Sequence, residues 1–362
     1  MTKAQRLVLQ LIEKEPLLSQ QDIARRLGMS LSAVRQHIGE LTRQGCIAGR
    51  GYVLRSGSYI AVVGGVNIDI GGRSLGPLIP EDSNPGQVRL SLGGVGRNIA
   101  HNLSLLGTDV RMLTAIGDDL HGQQAAASFA ELGIDGSHAL VVPGGTTSTY
   151  LYLTGPEGEM ALAVSDMSIC SRITPGYLEA NQTLLKNAQV VITDTNIPRE
   201  SLQYLAHTCT QPIFCDPVST VKAEKLRPIL SRIHTLKPNR MEAEVLTGIS
   251  IHSPEDAQKA ARKLLDLGVH RVFLSLGAQG LCAAMDDSCL LLPNLPGQMV
   301  NTTGCGDAFM GAIGWAYLEG LDLQDTALAG LAAAAIAMES RETINSQLSA
   351  QQVRKRMKTA NP

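Results

Sequence analysis

The chain has few aromatic residues and lacks the sequence signals of membrane and secreted proteins. Of its 362 residues, 44% are apolar but only 3% are aromatic. Aliphatic side chains must therefore fill the core, as they do in buried parallel strands and the helices that cover them. No run of about 18 apolar residues occurs, as a membrane-spanning helix requires, and the N-terminus is not a basic-then-apolar secretory signal. We expect a cytoplasmic α/β protein.

The cysteines form neither a metal-binding nor a disulfide pattern. There is no C-x-x-C pair and no histidine at zinc-binding spacing. The seven cysteines are residues 46, 170, 209, 215, 282, 289 and 305. We expect most of them to be reduced and to act as small buried side chains.

Two common nucleotide-binding motifs are also missing. The chain has no G-x-x-x-x-G-K-[ST] phosphate loop. Gly93-Gly94-Val95-Gly96-Arg97-Asn98-Ile99-Ala100 is not a dinucleotide fingerprint, because Ile99 stands where that pattern has its third small residue. The segment still opens a helix with glycines, which let a ligand approach the backbone, and Asn98 is placed to bind hydroxyl groups.

The small net charge of −2 conceals an uneven distribution. Residues 1–55 hold nine Lys or Arg and four acidic residues, a net charge of +5, which leaves −7 for the other 307 residues. A basic head on an acidic body points to nucleic-acid contact, although such a head can also dock on the acidic body.

The basic head has the helix pattern of a DNA-binding module. Helices are predicted over residues 3–14, 23–27 and 31–44, followed by a hairpin over 45–54. Ser19 and Ser30 are placed as caps, and Gly28 ends the second helix. A helix, a turn with glycine and a second helix form the helix-turn-helix layout.

Residues 1–55 resemble the winged helix-turn-helix domains of bacterial regulators. The resemblance implies contact with double-stranded DNA through Ser32, Ala33, Arg35 and Gln36 near base edges and Arg50 near phosphate. One such domain binds DNA weakly, so a homodimer is expected if the head regulates transcription. The alternative is a helical bundle retained for oligomer contacts.

Residues 56–58 predict a linker, and from residue 59 onward strands and helices alternate. Predicted strands cover 59–66, 110–116, 189–193, 212–215, 233–236 and 271–276, and predicted helices cover 97–107, 122–132, 176–186, 199–208, 240–247 and 255–267. The alternation predicts a doubly wound, mostly parallel sheet, with ligands bound beyond the carboxyl ends of its strands. Two stretches, near 68–91 and 147–164, interrupt it and predict antiparallel strands of a small β lid.

The most informative segment is Asn301-Thr302-Thr303-Gly304-Cys305-Gly306-Asp307-Ala308-Phe309. Gly304 and Gly306 permit a tight turn before an apolar helix over 308–319, and Asp307 lies in the first turn of that helix. Free N–H groups at a helix N-terminus attract an anion, and a carboxylate there can accept a proton from a hydroxyl group. Taken alone, the segment is more simply explained as a helix cap.

The two glycine motifs together, in this order and about 200 residues apart, make residues 59–345 similar to the ribokinase (PfkB) family of carbohydrate and nucleoside kinases. Three further segments resemble motifs of that family: Val66-Asn67-Ile68-Asp69, Lys237-Pro238-Asn239-Arg240-Met241-Glu242 and Ser275-Leu276-Gly277-Ala278-Gln279-Gly280. The resemblance implies a ribokinase-like domain over 59–362. It also implies ATP and Mg²⁺ as cofactors and transfer of the γ-phosphoryl group to a primary hydroxyl.

The resemblance assigns roles to individual residues. Asp307 is the implied catalytic base, and the amides of Gly304, Cys305 and Gly306 are the implied anion hole for the γ-phosphoryl group. The implied sugar-binding residues are Asn67, Asp69, Gly93, Gly94 and Asn98. The implied nucleotide contacts are Asn239, Ser275, Gly277, Gly280, Thr303, Gly304 and Gly306, and Glu242 is implied to act on Mg²⁺ through water.

Two residues depart from the family pattern. Asn301 stands where the family often has Asp at a position linked to monovalent cations, which leaves K⁺ dependence open. Cys305 replaces the more usual Ala.

Within the family, the chain looks most like the pseudouridine kinases, through GGVGRN, Asn301 and Ala163-Val164-Ser165-Asp166-Met167-Ser168-Ile169. Asp166 would then contact the base or the ribose.

Alternatives stay open at this point. Asp166 is otherwise a polar residue at the end of the lid, and ribose, other nucleosides and keto-sugar acids remain candidate substrates. A transcriptional regulator whose kinase-like body only senses a ligand is the competing class of function. Asp307, its framing glycines and Glu242 favour the kinase, because a sensor needs no base.

Overall fold

The computed structural model describes residues 2–15, 18–44, 46–47 and 58–359. Arg50, most of the predicted hairpin and the linker residues 56 and 57 lie outside these ranges. The chain divides into two units, Met1–Ser58 and Tyr59–Pro362. Across the described residues, no helix combines the length and the hydropathy needed to cross a bilayer.

The first unit contains three helices around a small apolar core. They are α1 (Lys3–Lys14), α2 (Gln20–Leu27) and α3 (Leu31–Arg43). The side chains of Thr2, Ser19 and Ser30 cap their N-termini, and Gly28, with φ of 63°, ends α2. Val8, Ile12, Ile23, Val34, Ile38 and Leu41 are buried between the helices. The predicted helices are therefore present, and α2 begins three residues earlier than expected.

The second unit alternates strands and helices along most of its length. Its strands are β1 (Tyr59–Val63), β2 (Asn67–Ser74), β3 (Gly86–Gly93), β4 (Asp109–Leu113), β5 (Ala115–Gly117), β6 (Leu140–Val142), β7 (Thr149–Thr154), β8 (Met160–Asp166), β9 (Val190–Asp194), β10 (Ile213–Asp216), β11 (Thr235–Leu236), β12 (Arg271–Ser275), β13 (Leu281–Met285) and β14 (Ser288–Leu292). Its helices are α4 (Val95–Leu105), α5 (Leu120–Glu131), α6 (Pro175–Ala180), α7 (Gln182–Asn187), α8 (Arg199–Thr208), α9 (Thr220–Ala223), α10 (Arg240–Thr247), α11 (Pro254–Asp266), α12 (Cys305–Leu318), α13 (Leu323–Met338) and α14 (Ala350–Met357). Short 3₁₀ segments lie at Ser168–Arg172, Glu224–Arg232 and Gly277–Gln279.

The main sheet has eight strands in the order β14-β13-β12-β11-β10-β9-β1-β4. The strands from β4 to β12 are parallel, and β13 and β14 are antiparallel to their neighbours. Alternate residues of β1 enter two different cores: Ala61 and Val63 face one, and Ile60 and Val62 face the other. Helices cover both faces, so the predicted doubly wound α/β fold is confirmed.

The lid is a separate four-stranded sheet in the order β3-β2-β7-β8. The β2–β3 and β7–β8 pairs are antiparallel, as predicted, but β2 and β7 are parallel. The parallel pairing of these two central strands was not predicted. The chain passes through α4 and the main sheet between β3 and β7, and a long connection of this kind allows the parallel pairing of β2 with β7, which a tight hairpin turn does not.

Several predicted elements end or divide where local contacts differ from the pattern. The predicted strand 59–66 ends at Val63, and the segment 110–116 changes sheets at Thr114, whose carbonyl accepts from Leu140. The predicted helix 176–186 divides at Asn181, whose side chain bonds the carbonyl of Tyr177. A side chain that competes for backbone groups in this way disfavours a continuous helix.

Candidate active site

Helix α12 begins at a glycine turn that leaves backbone N–H groups unpaired. Gly304 precedes the helix with φ of 83°, and a Cβ at this position would lie 2.2 Å from the carbonyl oxygen of Thr343. No side chain caps the helix, and within the described chain the N–H groups of Gly306 and Asp307 have no hydrogen-bond partner. Together with the helix dipole, they form a site for an anion.

Asp307 lies in the first turn of α12 and is held by α4. Nδ2 of Asn98 donates to Oδ2 of Asp307 over 2.8 Å. Asn98 is buried, and its Oδ1 has no partner among the described residues. Burial raises the pKa of Asp307 to about 7, and the nearby carboxylate of Asp216 adds to this rise. Such a carboxyl group can exchange a proton near neutral pH.

A buried ion pair lies beside the start of α12. Nζ of Lys237 is 3.0 Å from Oδ2 of Asp216, and the two residues are 7% and 5% exposed. Asp216 ends β10, and Lys237 directly follows β11, the neighbouring parallel strand. Nζ of Lys237 also lies 3.0 Å from the place where a Cβ on Gly306 would be. The ammonium group therefore adds positive charge at the helix N-terminus.

No role was predicted for Asp216 or Lys237 from the sequence. A signal was present, because both residues stand at the carboxyl ends of predicted strands, where α/β proteins bind ligands. What the pattern did not contain was the order of the strands in the sheet, which makes β10 and β11 neighbours.

Glu242 and Asn239 bind each other at the start of α10. The backbone N–H of each donates to the side chain of the other, both over 2.9 Å, which forms a capping box. Burial raises the pKa of Glu242 to about 7, and Asp216 adds to the rise. The carboxyl group is thus buried close to a second acidic group, and a cation nearby would favour its charged form.

A cavity of about 600 Å³ opens between β12, α12 and α13. The predicted nucleotide contacts Ser275, Gly277 and Gly280 line it, together with Lys237, Cys305 and Gly306 at the start of α12. Apolar side chains, including Leu295, Phe309, Leu331 and Met338, line much of the rest. Such a mostly apolar cleft with a few polar groups at one end suits a planar base with an anionic tail.

The remaining predicted residues of the 301–306 segment are arranged around this helix start. Oδ1 of Asn301 accepts from the backbone N–H of Thr303 over 3.0 Å, and its Nδ2 donates to the carbonyl of Arg341 over 3.3 Å. Thr303 is exposed, and neither it nor Asn239 lines the cavity. The backbone of Asn239 nevertheless forms an isolated parallel β-bridge with that of Ser275, and Ser275 lines the cavity.

The predicted sugar-binding residues meet where β2, β3 and α4 begin or end. Nδ2 of Asn67 donates to Oδ1 of Asp69 over 2.6 Å. A Cβ on Gly93 would lie 2.3 Å from Oδ2 of Asp69, and Gly94 has φ of 99°, so this corner requires glycine. Burial raises the pKa of Asp69. Because α4 starts here and carries Asn98 one turn later, the corner is joined directly to Asp307.

Asp194 supports this corner and was not recognised in the sequence. Its carboxylate accepts from the N–H groups of Gly65, Gly96 and Asn196, over 2.8 to 2.9 Å. The residue is 1% exposed. It therefore joins the end of β9 to the turn after β1 and to the first turn of α4.

Asp166 lies apart from the other predicted sugar-binding residues. It is exposed at the end of β8, and its Oδ1 accepts from the backbone N–H of Ser168. In the lid register Asp69 pairs with Tyr150 and Tyr150 with Ser165, so Asp166 points to the opposite face from Asp69. The side chain of Tyr150, by contrast, shares the face of Asp69.

No cluster of three or more His, Cys, Asp or Glu side chains that could hold a metal ion exists within the described residues.

In the first unit, Ser32, Arg35 and Gln36 are exposed on α3, and Ala33 is half-buried. Gln36 also donates to Glu40 over 3.0 Å.

Comparison with known proteins gives two family matches. Residues 58–350 match the pfkB family of carbohydrate kinases, and residues 1–48 match a winged helix-turn-helix DNA-binding family. An Escherichia coli K12 protein named uncharacterized sugar kinase YeiI is 37% identical, over 97% of both chains. Pseudouridine kinase of the same strain is 37% identical over 82% of this chain and 95% of its own. Arabidopsis thaliana ribokinase, solved with ribose and ATP, has the same fold, with a TM-score of 0.75 at 22% identity over 84% of this chain and 99% of its own.

Proposed function

This chain belongs to the pfkB family of carbohydrate kinases and is a phosphotransferase that acts on an alcohol group, and we propose that its acceptor is the primary hydroxyl of pseudouridine. The product would be pseudouridine 5'-phosphate, with ATP as the donor. The observation that carries the proposal is the identity to a pseudouridine kinase along most of both chains.

In this mechanism Asp307 removes the proton from the primary hydroxyl. Its raised pKa suits the role, because a base works best when its pKa lies near the working pH. Asn98 holds the carboxylate through Nδ2. The Oδ1 atom of Asn98 has no partner among the described residues, so it is free to accept a hydrogen bond from a hydroxyl group of the substrate.

The start of α12 stabilises the transferred phosphoryl group. We assign the growing negative charge to the unpaired N–H groups of Gly306 and Asp307, together with those of Gly304 and Cys305, although the N–H of Cys305 also donates to the carbonyl of Thr302 over 3.4 Å. The ammonium group of Lys237 adds a full positive charge there, and its ion pair with Asp216 fixes its place. Phosphoryl transfer depends on this kind of positioning and charge stabilisation.

ATP is assigned to the cavity beside α12, with its base among the apolar side chains and its phosphates toward Gly306. The donor chemistry fits Mg²⁺, which keeps several waters and takes one or two carboxylates, because Glu242 and Asp216 are acidic groups close enough for Asp216 to raise the pKa of Glu242. Mg²⁺, when bound, neutralises charge on the phosphate oxygens. Assays in K⁺ and in Na⁺ test whether Asn301 supports monovalent-cation activation.

We assign the ribose hydroxyls to Asn67, Asp69 and Asn98. At Gly93 and Gly94 the absence of a side chain lets the substrate approach the backbone closely. Tyr150 lies on the same lid face as Asp69, with its ring 5.7 Å from that of Tyr152. An aromatic pair of this kind supports a substrate that carries a planar base. Asp166 lies on the opposite lid face from Asp69, and we assign it no contact with the substrate.

A sugar is the second candidate acceptor. The relative named as a sugar kinase matches both units of this chain, whereas the pseudouridine kinase matches 82% of it. A screen for γ-phosphate transfer with pseudouridine, uridine, inosine, ribose and a keto-sugar acid separates the candidates. We expect kcat/KM for pseudouridine to exceed that for uridine and ribose by about 100-fold, as expected where buried polar groups select a substrate. A higher value for ribose would overturn the pseudouridine assignment.

We also propose that the first unit binds double-stranded DNA through α3. Three of the four α3 residues implied for base contact are exposed, and the surrounding segment is basic. In the full chain, Arg35→Ala should abolish a salt-sensitive mobility shift with DNA upstream of the protein's own gene. It should leave phosphoryl transfer unchanged. A shift retained in Arg35→Ala, or none in the wild type, contradicts the proposal.

A homodimer formed through the lid would suit both roles. Six apolar side chains lie on the lid face opposite Asp69: Val88, Leu90, Leu151, Leu153, Leu162 and Val164. They are 39% to 68% exposed, which is unusual for a continuous apolar sheet face. A second copy of this face is the proposed partner. Leu162→Asp should convert a dimer to a monomer in light scattering, and Ser165→Asp, on the other face of β8, should not.

A further inference from the structure

Two cysteines meet in the hairpin at the edge of the main sheet. Sγ of Cys282 on β13 and Sγ of Cys289 on β14 are 3.5 Å apart, and both thiols are free. Cys282 pairs with Leu291 and Cys289 with Ala284, so the two cysteines are diagonal neighbours on one face of the hairpin. Cys282 is fully buried, whereas Cys289 is partly exposed. Cys289 is therefore the more accessible residue of the pair, and the sulfur of Cys282 lies within 3.5 Å of its sulfur.

The surroundings favour the thiolate form at Cys289. The thiol of Cys282 stabilises the Cys289 sulfur by hydrogen bonding and Arg262 of α11 by its charge, and these effects lower the pKa of Cys289. Burial instead raises the pKa of four other cysteine thiols: Cys170, Cys209, Cys215 and Cys305. A partly exposed sulfur beside a guanidinium is the setting of a reactive cysteine.

We propose that Cys282 and Cys289 are a redox-sensitive dithiol that closes to a disulfide when a peroxide oxidises it. The Cys289 thiolate attacks one peroxide oxygen, the O–O bond breaks, and hydroxide leaves and takes up a proton to become water. The Cys282 sulfur then attacks the Cys289 sulfenic acid, an S–S bond replaces the S–O bond, and a second water leaves. Two thiols lose two electrons in total, and the peroxide is reduced to two waters.

The hairpin is joined to the cavity assigned to ATP at both of its ends. The chain passes from Gly277 and Gly280 into β13, and from β14 into Asn294, Leu295 and Pro296, all of which line the cavity. Nδ2 of Asn294 donates to the carbonyl of Gly277 over 2.8 Å and connects the two sides. A disulfide needs the two sulfurs to approach from 3.5 Å to about 2.05 Å, through rotation of the side chains together with movement of the strands. We expect the bond to move this wall of the cavity and weaken ATP binding, an effect that rests on the proposed function.

The disulfide itself is tested without any activity. The full chain is treated with hydrogen peroxide, unreacted thiols are blocked, and the protein is cut before Asp286 and Asp287, which stand between the two cysteines. We expect a mass loss of about 2 Da and two fragments joined until a reductant is added. Cys289→Ser should lose the linkage, and Cys209→Ser, which replaces a buried thiol elsewhere, should keep it. No linkage in the wild type, or a linkage that persists in Cys289→Ser, overturns the proposal.

The effect on the cavity is tested with the same samples. We expect the KM for ATP to rise by about threefold or more on oxidation, since small displacements of binding groups are costly, and to recover with dithiothreitol. Cys289→Ser should not respond. A disulfide that forms while the KM for ATP stays unchanged overturns the coupling to the cavity. An enzyme inactive on every acceptor would instead count against the proposed function and leave the linkage result standing.

Discussion

Helices α4 and α12 begin in the same way but use their N-termini differently. The N-cap residue of each is a glycine with positive φ, 99° at Gly94 and 83° at Gly304. In neither helix does the N-cap residue provide a side-chain hydrogen bond. In α4 the N–H groups of Gly96, Arg97 and Asn98 all have partners within the protein. In α12 the N–H groups of Gly306 and Asp307 have none in the described chain.

The difference separates a glycine turn whose N–H groups are bonded within the protein from one that we propose binds a ligand. The side chain of Asp194 accepts from the N–H of Gly96 in the first turn of α4, so this helix start is complete and positions Asn98. The start of α12 has a lysine beside it, and among the described residues no group accepts from the N–H groups of Gly306 and Asp307, so its positive potential is available to a ligand. The role of a helix that begins at a glycine therefore depends on whether groups of the protein already accept hydrogen bonds from its first N–H groups.

Replacing Asp307 should give the largest effect of any change at the two helix starts. Asp307→Asn keeps the size of the side chain but removes the base, so we expect kcat to fall by about 100- to 10,000-fold. The KM for ATP should change little. Steady-state kinetics on the acceptor found in the screen measure this, and equal turnover in wild type and variant contradicts the mechanism.

The fold of this variant is checked by thermal unfolding at pH 8. The pKa of Asp307 is raised in the folded protein, so ionisation of this buried group costs stability progressively as the pH rises toward about 7, and nearly the whole cost is present at pH 8. Asparagine carries no charge. The Tm of Asp307→Asn at pH 8 should thus equal or exceed that of the wild type, and a lower Tm would point to misfolding as the cause of lost activity.

Lys237 should give the second largest effect. Lys237→Met leaves Asp216 buried without its partner, which should cost about 3–5 kcal/mol of stability, and removes a positive charge beside Gly306, which should lower kcat by about 100-fold. The double variant Lys237→Met with Asp216→Asn should recover stability but not activity. Recovery of both would mean that Lys237 serves only the fold.

Replacing Asn98 should change the pH dependence of kcat/KM. Only the deprotonated Asp307 can take up a proton, so kcat/KM should fall as the pH drops through about 7. The hydrogen bond from Asn98 lowers the pKa of Asp307, so Asn98→Ala should move this limb to higher pH and lower the plateau by about tenfold. Asp307→Asn should lack the limb. An unmoved limb in Asn98→Ala would assign it to another group, of which Glu242 is the first candidate.

The sequence predicted the alternating fold and the residues at both helix starts, because glycine turns and strand patterns are local. It did not predict α13, whose residues are almost all apolar and buried, so that no helical period shows. It also missed Asp194, Asp216 and Lys237. Their roles depend on which strands are neighbours in the sheet, and that order is set by long-range packing. Tyr150 was missed for the same reason, since only the lid register places it beside Asp69.

Cys305 should give the smallest effect and tests whether α12 acts through its backbone. Its thiol makes a weak contact with the carbonyl of Asn301, 3.9 Å away, and burial raises its pKa, so the thiol stays neutral. Cys305→Ala keeps the backbone N–H and favours a helix. We expect kcat and the KM for ATP to stay within about twofold, as for a substitution that removes no charge and no hydrogen-bond donor aimed at the ligand. A loss of about tenfold or more would show that the thiol itself takes part, and the helix start would then differ from α4 in its side chains as well as in its free N–H groups.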